Sequence, residues 1–410
     1  MGSLRKAHGR FGAAVLLLVV AAACNSAGPT SAVPAGSATG RSGGLFPAGS
    51  PAASGIHVIV PESSGAGASQ PVGSGAPRAT AAAVTVDQIT ADYTYKSELI
   101  TPIAHLYGLF LDDFVIVTVK NGNAAAVKIV VSSEISGYTS KASDTVTVPA
   151  GATQEVRQNP RLTTAAIDGL NSQHEADLHV VVSYLEAGQP RTVVDQTSPT
   201  LITSRRDFPW SIKGFTQEED WNLVVAMVTP TDPGVEELIR AGANYDPNGA
   251  MVSNYDSLND ESGTVWQRLS DIWQAETNDY SLTYIGTTDS FASGSSQRIR
   301  LPGEVLDQAS GNCIELTLLY ASVVEALGMQ PAIVMVPGHA YIAVRVDAQN
   351  DNYYFIETTM IGQATFKQAV TTAVGEWQKA QPHLAAGEPD YGWVDIAAAR
   401  ADGIIPIPWR

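Results

Sequence analysis

Hydrophobic and polar positions change rhythm twice along the chain. Asn25 to about Ala82 is Ala, Gly, Ser and Pro with few large apolar residues, the exception being the alternating Ile56-His57-Val58-Ile59-Val60. Such a run cannot bury enough surface to offset chain entropy and is expected to be a flexible tether, with the pentapeptide an isolated apolar patch. From Ala83 to about Arg205, short β-prone runs alternate with turn residues: Asp113 to Lys120, Ala126 to Val131, Thr145 to Val148 and Leu178 to Leu185. Asn121-Gly122-Asn123 carries hairpin-turn chemistry between the first two. Regular short strands without a long amphipathic helix predict an antiparallel sandwich over residues 83–205.

After Arg205 the pattern is mixed. Phe208-Pro209-Trp210 marks a boundary, Trp221 to Val228 is an apolar run closed by Thr229-Pro230, and Asp232 with Pro233 opens a helix through Val235, Leu238 and Ile239. Thr264 is expected to cap a second helix whose Val265, Trp266, Leu269, Ile272 and Trp273 form one core-facing stripe. Thr287 to Ser296, rich in Thr, Ser and Gly, is expected to be a mobile loop beside a cleft. Ser310 and Asn312 are capping types, Ile314 to Leu327 is apolar at nearly every position, and Gly328 stops the helix. Ala332 to Val336 predicts a buried strand, Pro337-Gly338 breaks it, and Ala340 to Val346 predicts the next. A polar turn over Asp347 to Asn352 leads to Tyr353 to Ile356 and then Glu357-Thr358-Thr359. Phe366 to Trp377 predicts a further helix. Tyr391 to Ile396 is a strand or turn, with Asp395 capping an Ala-rich helical turn ended by Gly403, and Ile404 to Trp409 should be extended.

This arrangement places chemistry. Cys313 falls in the first turn of a buried helix, where unpaired N–H groups and the positive end of the dipole favour an anion. His339 opens the second strand, and an antiparallel hairpin returns Glu357 to its neighbourhood. Taken singly, a cysteine on an apolar helix is ordinarily a small core residue, and a histidine after glycine ordinarily ends a loop. Taken jointly, thiol, imidazole and carboxylate converge from a helix start and two adjacent strands. His174-Glu175 and His179 are spaced one residue too far for the zinc helix motif, and no metal is expected there.

At Gly311-Asn312-Cys313, Leu327-Gly328-Met329, Pro337-Gly338-His339-Ala340 and Glu357-Thr358-Thr359 the sequence resembles the transglutaminase-like superfamily, whose catalytic core is shared with papain-type thiol proteases. The likeness extends upstream through Tyr284 and Gln297-Arg298-Ile299-Arg300-Leu301-Pro302. It implies an α+β fold over residues 206–410, with Cys313 as nucleophile, His339 as base and then acid, and Glu357 orienting the imidazole. The family more often has Asp at the third position, so the longer Glu357 is a departure. The implied chemistry is acyl transfer, with the oxyanion held by the Cys313 backbone N–H and a second donor, for which Gln308 is the candidate and Gln297 stands behind it. The domain order expected is thus an all-β, immunoglobulin-like sandwich followed by a transglutaminase-like (papain-like) domain.

The leader alters the cysteine arithmetic. Arg5, Lys6 and Arg10 precede the apolar Phe11 to Val20, and Ala21-Ala22-Ala23 precedes Cys24. That order is a secretory signal over residues 1–23, too short to span a bilayer, and it resembles the bacterial lipoprotein box in which Cys24 becomes the acylated N-terminus. The tether over 24–82 then joins the lipid bilayer to the folded chain on the extracytoplasmic face of a bacterial membrane. With Cys24 acylated, Cys313 has no disulfide partner, and a lone thiol in an oxidising compartment points to use.

A formal charge of −17 over 410 residues argues against nucleic acid and against electrostatic adhesion to anionic lipid. No phosphate-cradling glycine loop is present, and thiol acyl transfer needs no cofactor. The expected partner is a peptide or protein substrate, cell-wall peptide included. Three readings stand: a thiol hydrolase cleaving a peptide or isopeptide amide, favoured because water is the abundant acceptor; a protein-crosslinking transglutaminase; and a non-catalytic binding module.

Overall fold

The computed structural model describes residues 79–80, 84–86, 88–186, 189–251, 255, 261–286, 296–347 and 352–408. The expected leader, Cys24, the tether up to residue 78, the Ile56 to Val60 patch, loop residues 287–295 and turn residues 348–351 lie outside the described residues.

Two five-stranded sheets form the first half. In one, Val115–Asn121 lies between Ile89–Tyr95 and Thr153–Gln158, with Ala79–Thr80 and Val84–Val86 along the far side of Ile89–Tyr95. The other runs Glu98–Leu99, Gln189–Ile202, His174–Glu186, Val127–Ile135, Ala142–Val148. Alternation decides what each buries. Ile89, Ala91, Tyr93 and Val115, Val117, Val119 from one sheet share a core with Ile129, Val131 and Leu178, Val180, Val182 from the other. The fold of the whole is mixed α+β with several sheets.

Asn121-Gly122-Asn123 does not close a hairpin. Val115–Asn121 and Val127–Ile135 belong to different sheets, so this turn carries the chain across the sandwich. The buried Asn121 amide holds the corner by donating to the carbonyls of Ala125, Val148 and Pro149. The long Gln189–Ile202 strand, absent from the hydropathy pattern, is disguised by Pro190, Arg191 and Pro199. It pairs with His174–Glu186 through a register shift between Thr192 and Val194. His174 and His179 share that strand five residues apart and so project to opposite faces, His179 bonding Asp195 at 2.8 Å.

In the second half a four-stranded antiparallel sheet runs Tyr353–Ile356, His339–Arg345, Pro331–Val336, Gly392–Asp395. Both of its faces are covered, which is why its strands read as continuous apolar runs. Ile333, Met335, Ile342, Val344 and Ile356 join the core of the Cys313–Ala326 helix. Ala332, Val334, Tyr341, Ala343 and Phe355 meet Ala373 and Trp377 of the Phe366–Ala385 helix. The Glu261–Asn278 helix begins a turn before Thr264, which therefore lies inside it; Gly263 is carried within the first turn rather than stopping it. Trp273 is buried and Trp266 packs on Phe366 with ring centres 4.8 Å apart, so the tryptophans serve the core. Asp395 caps the Ile396–Ala401 helix through Ala398 N–H at 2.9 Å.

The two halves are joined by named contacts. Arg205 and Arg206, at the end of the sandwich, both reach Glu304, the former at 2.7 Å. Burial alone would raise the Glu304 carboxyl, but Arg206, the Leu301 N–H and Arg205 hold it below its usual range. Buried His105 bonds the Ile405 carbonyl at 2.9 Å.

Candidate functional site

The helix that carries Cys313 is locked at its start. Asn312 is the cap: its Oδ1 accepts from Glu315 N at 3.0 Å, and its own N–H donates to Glu315 Oε2 at 3.0 Å. Glu315 is 3% exposed and also receives the backbone N and Nε of Arg300, each at 2.9 Å, and Arg300 Nη2 at 2.6 Å. That hydrogen bond raises the Arg300 guanidinium above its ordinary range. Gly311 is required here, since a Cβ would stand 2.9 Å from Leu316 Cγ. Cys313 is thus the first helical residue, half-buried, with its own N–H at the unpaired end.

Val336 and His339 pair across a tight turn in which Gly338 takes φ +69°, a conformation that favours glycine. The turn starts the next strand at His339. Strand parity sets where its ring points: His339 shares a face with Tyr341 and Ala343, toward the Phe366–Ala385 helix. Glu357 follows Phe355 on that same face. His339 Nε2–H donates to Glu357 Oε2 at 2.7 Å, and the other ring nitrogen, Nδ1, is left for the hydrogen bond with the Cys313 side chain. Glu357 is 3% exposed; its Oε1 accepts from Thr359 N at 3.0 Å and from the Thr359 hydroxyl.

The electrostatics follow from these contacts. Burial works against a charged His339 ring, yet the hydrogen bonds with Cys313 and Glu357 and the Glu357 charge outweigh it and raise its pKa to about 10. Burial alone would lift Glu357, but His339 and the other donors hold it below the usual carboxylate range. A third tie fixes the frame. The buried Thr317, one turn beyond Cys313, donates to the Ala340 carbonyl at 3.3 Å and meets the Thr358 hydroxyl at 3.1 Å.

Cys313, His339 and Glu357 are therefore brought together. The two glutamines accept through their carbonyl ends, contacts that do not use their side-chain N–H donors. Gln297 is buried and accepts from Trp210 Nε1 at 2.9 Å, while exposed Gln308 accepts from Arg300 Nη1 at 2.7 Å. The donor with the right origin for an oxyanion is the Cys313 N–H. Tyr284 stands within electrostatic reach of Cys313 and Glu357. Its strand residue pairs with Gly311, and burial together with Cys313 and Glu357 raises its phenol, which keeps it a neutral donor.

One residue at the site was absent from the sequence reading. Glu376, on the Phe366–Ala385 helix, is half-buried and hydrogen-bonds Glu357, and burial together with that contact raises it to about 7. The signal was present: Glu376 stands three residues beyond Ala373 and four before Ala380, on the helix's buried stripe. Donor atoms of His339, Glu357 and Glu376 lie within 4.8 Å of one another, and this is the one group among the described residues with the ligand types for a cation. In the present arrangement those atoms bond each other. A separate cavity of about 560 Å³, lined by Trp266, Trp273, Phe366 and Lys367 among others, includes none of these residues.

No protein-family model matches the chain, and no curated protein does. A solved structure described as "Crystal structure of protein from Archaeoglobus fulgidus" aligns over 31% of this chain and 94% of its own, at 9% identity and a TM-score of 0.19. A likeness of that size bears on neither fold nor chemistry.

Proposed function

We propose that the chain is a membrane-anchored, extracytoplasmic thiol acyl-transfer enzyme with a transglutaminase-like domain, which hydrolyses a peptide or isopeptide amide through Cys313, His339 and Glu357. The observation that carries this reading is the placement of His339 between the other two, its Nε2–H on Glu357 Oε2 at 2.7 Å and its other side on the thiol. Glu357 fixes the tautomer, so the nitrogen facing Cys313 is the one that takes its proton. Sγ then attacks the amide carbonyl, forming the S–C bond as the C–O π pair moves onto oxygen. The Cys313 N–H receives that oxyanion, and Tyr284 is placed to assist. His339 returns the proton to the leaving amine as the C–N bond breaks. Water, deprotonated by His339, attacks the thioester, and the C–S bond breaks to release the acid and restore the thiol.

Support comes from the buried frame around the three groups, since a side chain kept only for packing needs no oriented imidazole. Abundant water makes hydrolysis the default fate of the acyl-enzyme. The test is iodoacetamide alkylation of Cys313 in wild type, His339→Ala and Glu357→Ala, followed by incubation with glutamine-containing and cell-wall peptides. Loss of rapid alkylation in both variants, with ammonia or amine released into water, is expected. A thiol indifferent to His339 in a folded protein would remove the basis for the proposal.

A further inference from the structure

We infer that Glu376 is a positioning residue, whose carboxylic acid donates its proton to Glu357 and holds that carboxylate, and through it His339, in the orientation that serves Cys313. This rests on the triad reading above and adds a fourth group to it.

The argument begins with which of the two acids holds the proton. Glu357 already accepts from His339 Nε2, Thr359 N and the Thr359 hydroxyl, so its oxygens are surrounded by donors and it is the anion. Two carboxylates in contact cannot both be charged without repulsion, so Glu376 supplies the proton. Its Oε2 is buried, and no N–H or hydroxyl group donates to it. A charged carboxylate would leave that oxygen at a desolvation cost, whereas a neutral acid tolerates it. Glu376 therefore stands as the donor in a carboxyl–carboxylate pair.

The reason for the arrangement lies in the length of Glu357. One methylene more than aspartate adds a rotatable bond between the backbone and the carboxylate. The Thr359 donors hold Oε1 from the strand side, and Glu376 reaches the group from the helix that covers the sheet. Docking of the Phe366–Ala385 helix is thereby coupled to the aim of the imidazole.

A proton held this way is lost on alkalinisation. The charged and titratable groups facing Glu376 are Glu357 and His339, Lys379 on its own helix, and Tyr341 on the strand. Burial and Glu357 raise Glu376, His339 and Lys379 oppose them, and the balance sits at about 7. Above that pH two anions face each other and the pair separates.

The experiment measures alkylation of Cys313 in the intact chain from about pH 5 to about pH 9 for wild type, Glu376→Gln, Glu376→Ala and His339→Ala, with circular dichroism confirming the fold of each. The quantity read is the rate relative to Glu376→Gln at the same pH, so that ionisation of the thiol itself, common to both, cancels. In wild type that ratio is expected to fall about tenfold as pH rises through 7, the size of one charge-assisted hydrogen bond. Glu376→Gln keeps an N–H donor but cannot ionise, so it should exceed His339→Ala on both sides of pH 7, up to the pH at which the free thiol ionises. Glu376→Ala should be low throughout. A glutamine variant that behaves like alanine, or an alanine variant that matches wild type, overturns the inference. So does stoichiometric Zn²⁺ retained by wild type and lost in Glu376→Gln, because an ion would then occupy the place of the shared proton. If wild type equals His339→Ala at every pH, the triad reading fails and this inference fails with it.

Discussion

The hydroxyls of Thr317 and Thr358 meet at 3.1 Å, and through them the helix that begins at Cys313 is fastened to the residue following Glu357. The same Thr317 hydroxyl reaches Ala340, the residue following His339, at 3.3 Å. One fully buried side chain, Thr317, thus helps set the spacing of Cys313, His339 and Glu357.

Thr317→Val keeps the branching and removes both ties. It is expected to cost about 1 kcal/mol in urea unfolding. The telling readout is the His339 dependence of Cys313 alkylation, which should weaken by more than that stability loss would cause. An unchanged dependence would mean the spacing is set by the backbone alone.

Glu315→Ala strands Arg300 in a largely buried place and leaves the Asn312 N–H without its acceptor. Breaking one partner of such a pair is expected to cost about 3–5 kcal/mol. Glu315→Gln, which retains an acceptor oxygen, should lose less. Equal, small losses for both variants in denaturant titration would show that the network adds nothing beyond packing.

The pH dependence of stability has a definite sign on the alkaline side. His339 is raised from 6.5 to about 10, so its contribution is complete below 6.5 and is lost as pH rises through about 10. Glu376 is raised from 4.5 to about 7, so its contribution is complete below 4.5 and is lost as pH rises through about 7. The urea midpoint is expected to fall between about pH 5 and about pH 10, and to fall less in Glu376→Gln. A midpoint that rises over this window contradicts both assignments.

His105 behaves oppositely. Burial lowers it from 6.5 to about 4 against the pull of the Ile405 carbonyl, so its contribution is present above 6.5 and is lost as pH falls through about 4. His105→Gln keeps a donor of similar reach without the titration. Thermal melts at neutral and acid pH should show a smaller acid loss in the variant.

For the proposed anchor, Cys24→Ser is expected to shift the protein from the membrane fraction to the soluble one without changing the reactivity of Cys313. A variant that remains with the membrane would reject acylation at this position.

Much of the second half could be read from the chain because its signals were local. Asn312, Gly328 and the Pro337-Gly338 break bounded the Cys313–Ala326 helix and the strand pair to within about a residue, as capping and turn chemistry are set by neighbours. What escaped depended on partners far along the chain. The Asn121 corner looks like a hairpin until Ala125, Val148 and Pro149 are seen around its amide. Glu376 falls on the buried stripe of its helix, but that it meets Glu357 shows only when the helix is packed on the sheet. The contacts of Gln308 and Gln297, each accepting through its carbonyl from Arg300 and Trp210, likewise follow from packing and not from their position before the helix.

The Phe366–Ala385 helix has a consequence for the order of maturation. It emerges during synthesis some fifty residues after Cys313, and it closes the face of the sheet on which His339 and Glu357 stand. Domains pair distant segments only after the local ones have formed. During synthesis Cys313 is therefore present before the helix that carries Glu376 can close over His339 and Glu357, and a chain cut short of this helix would hold the thiol, imidazole and carboxylate without that cover.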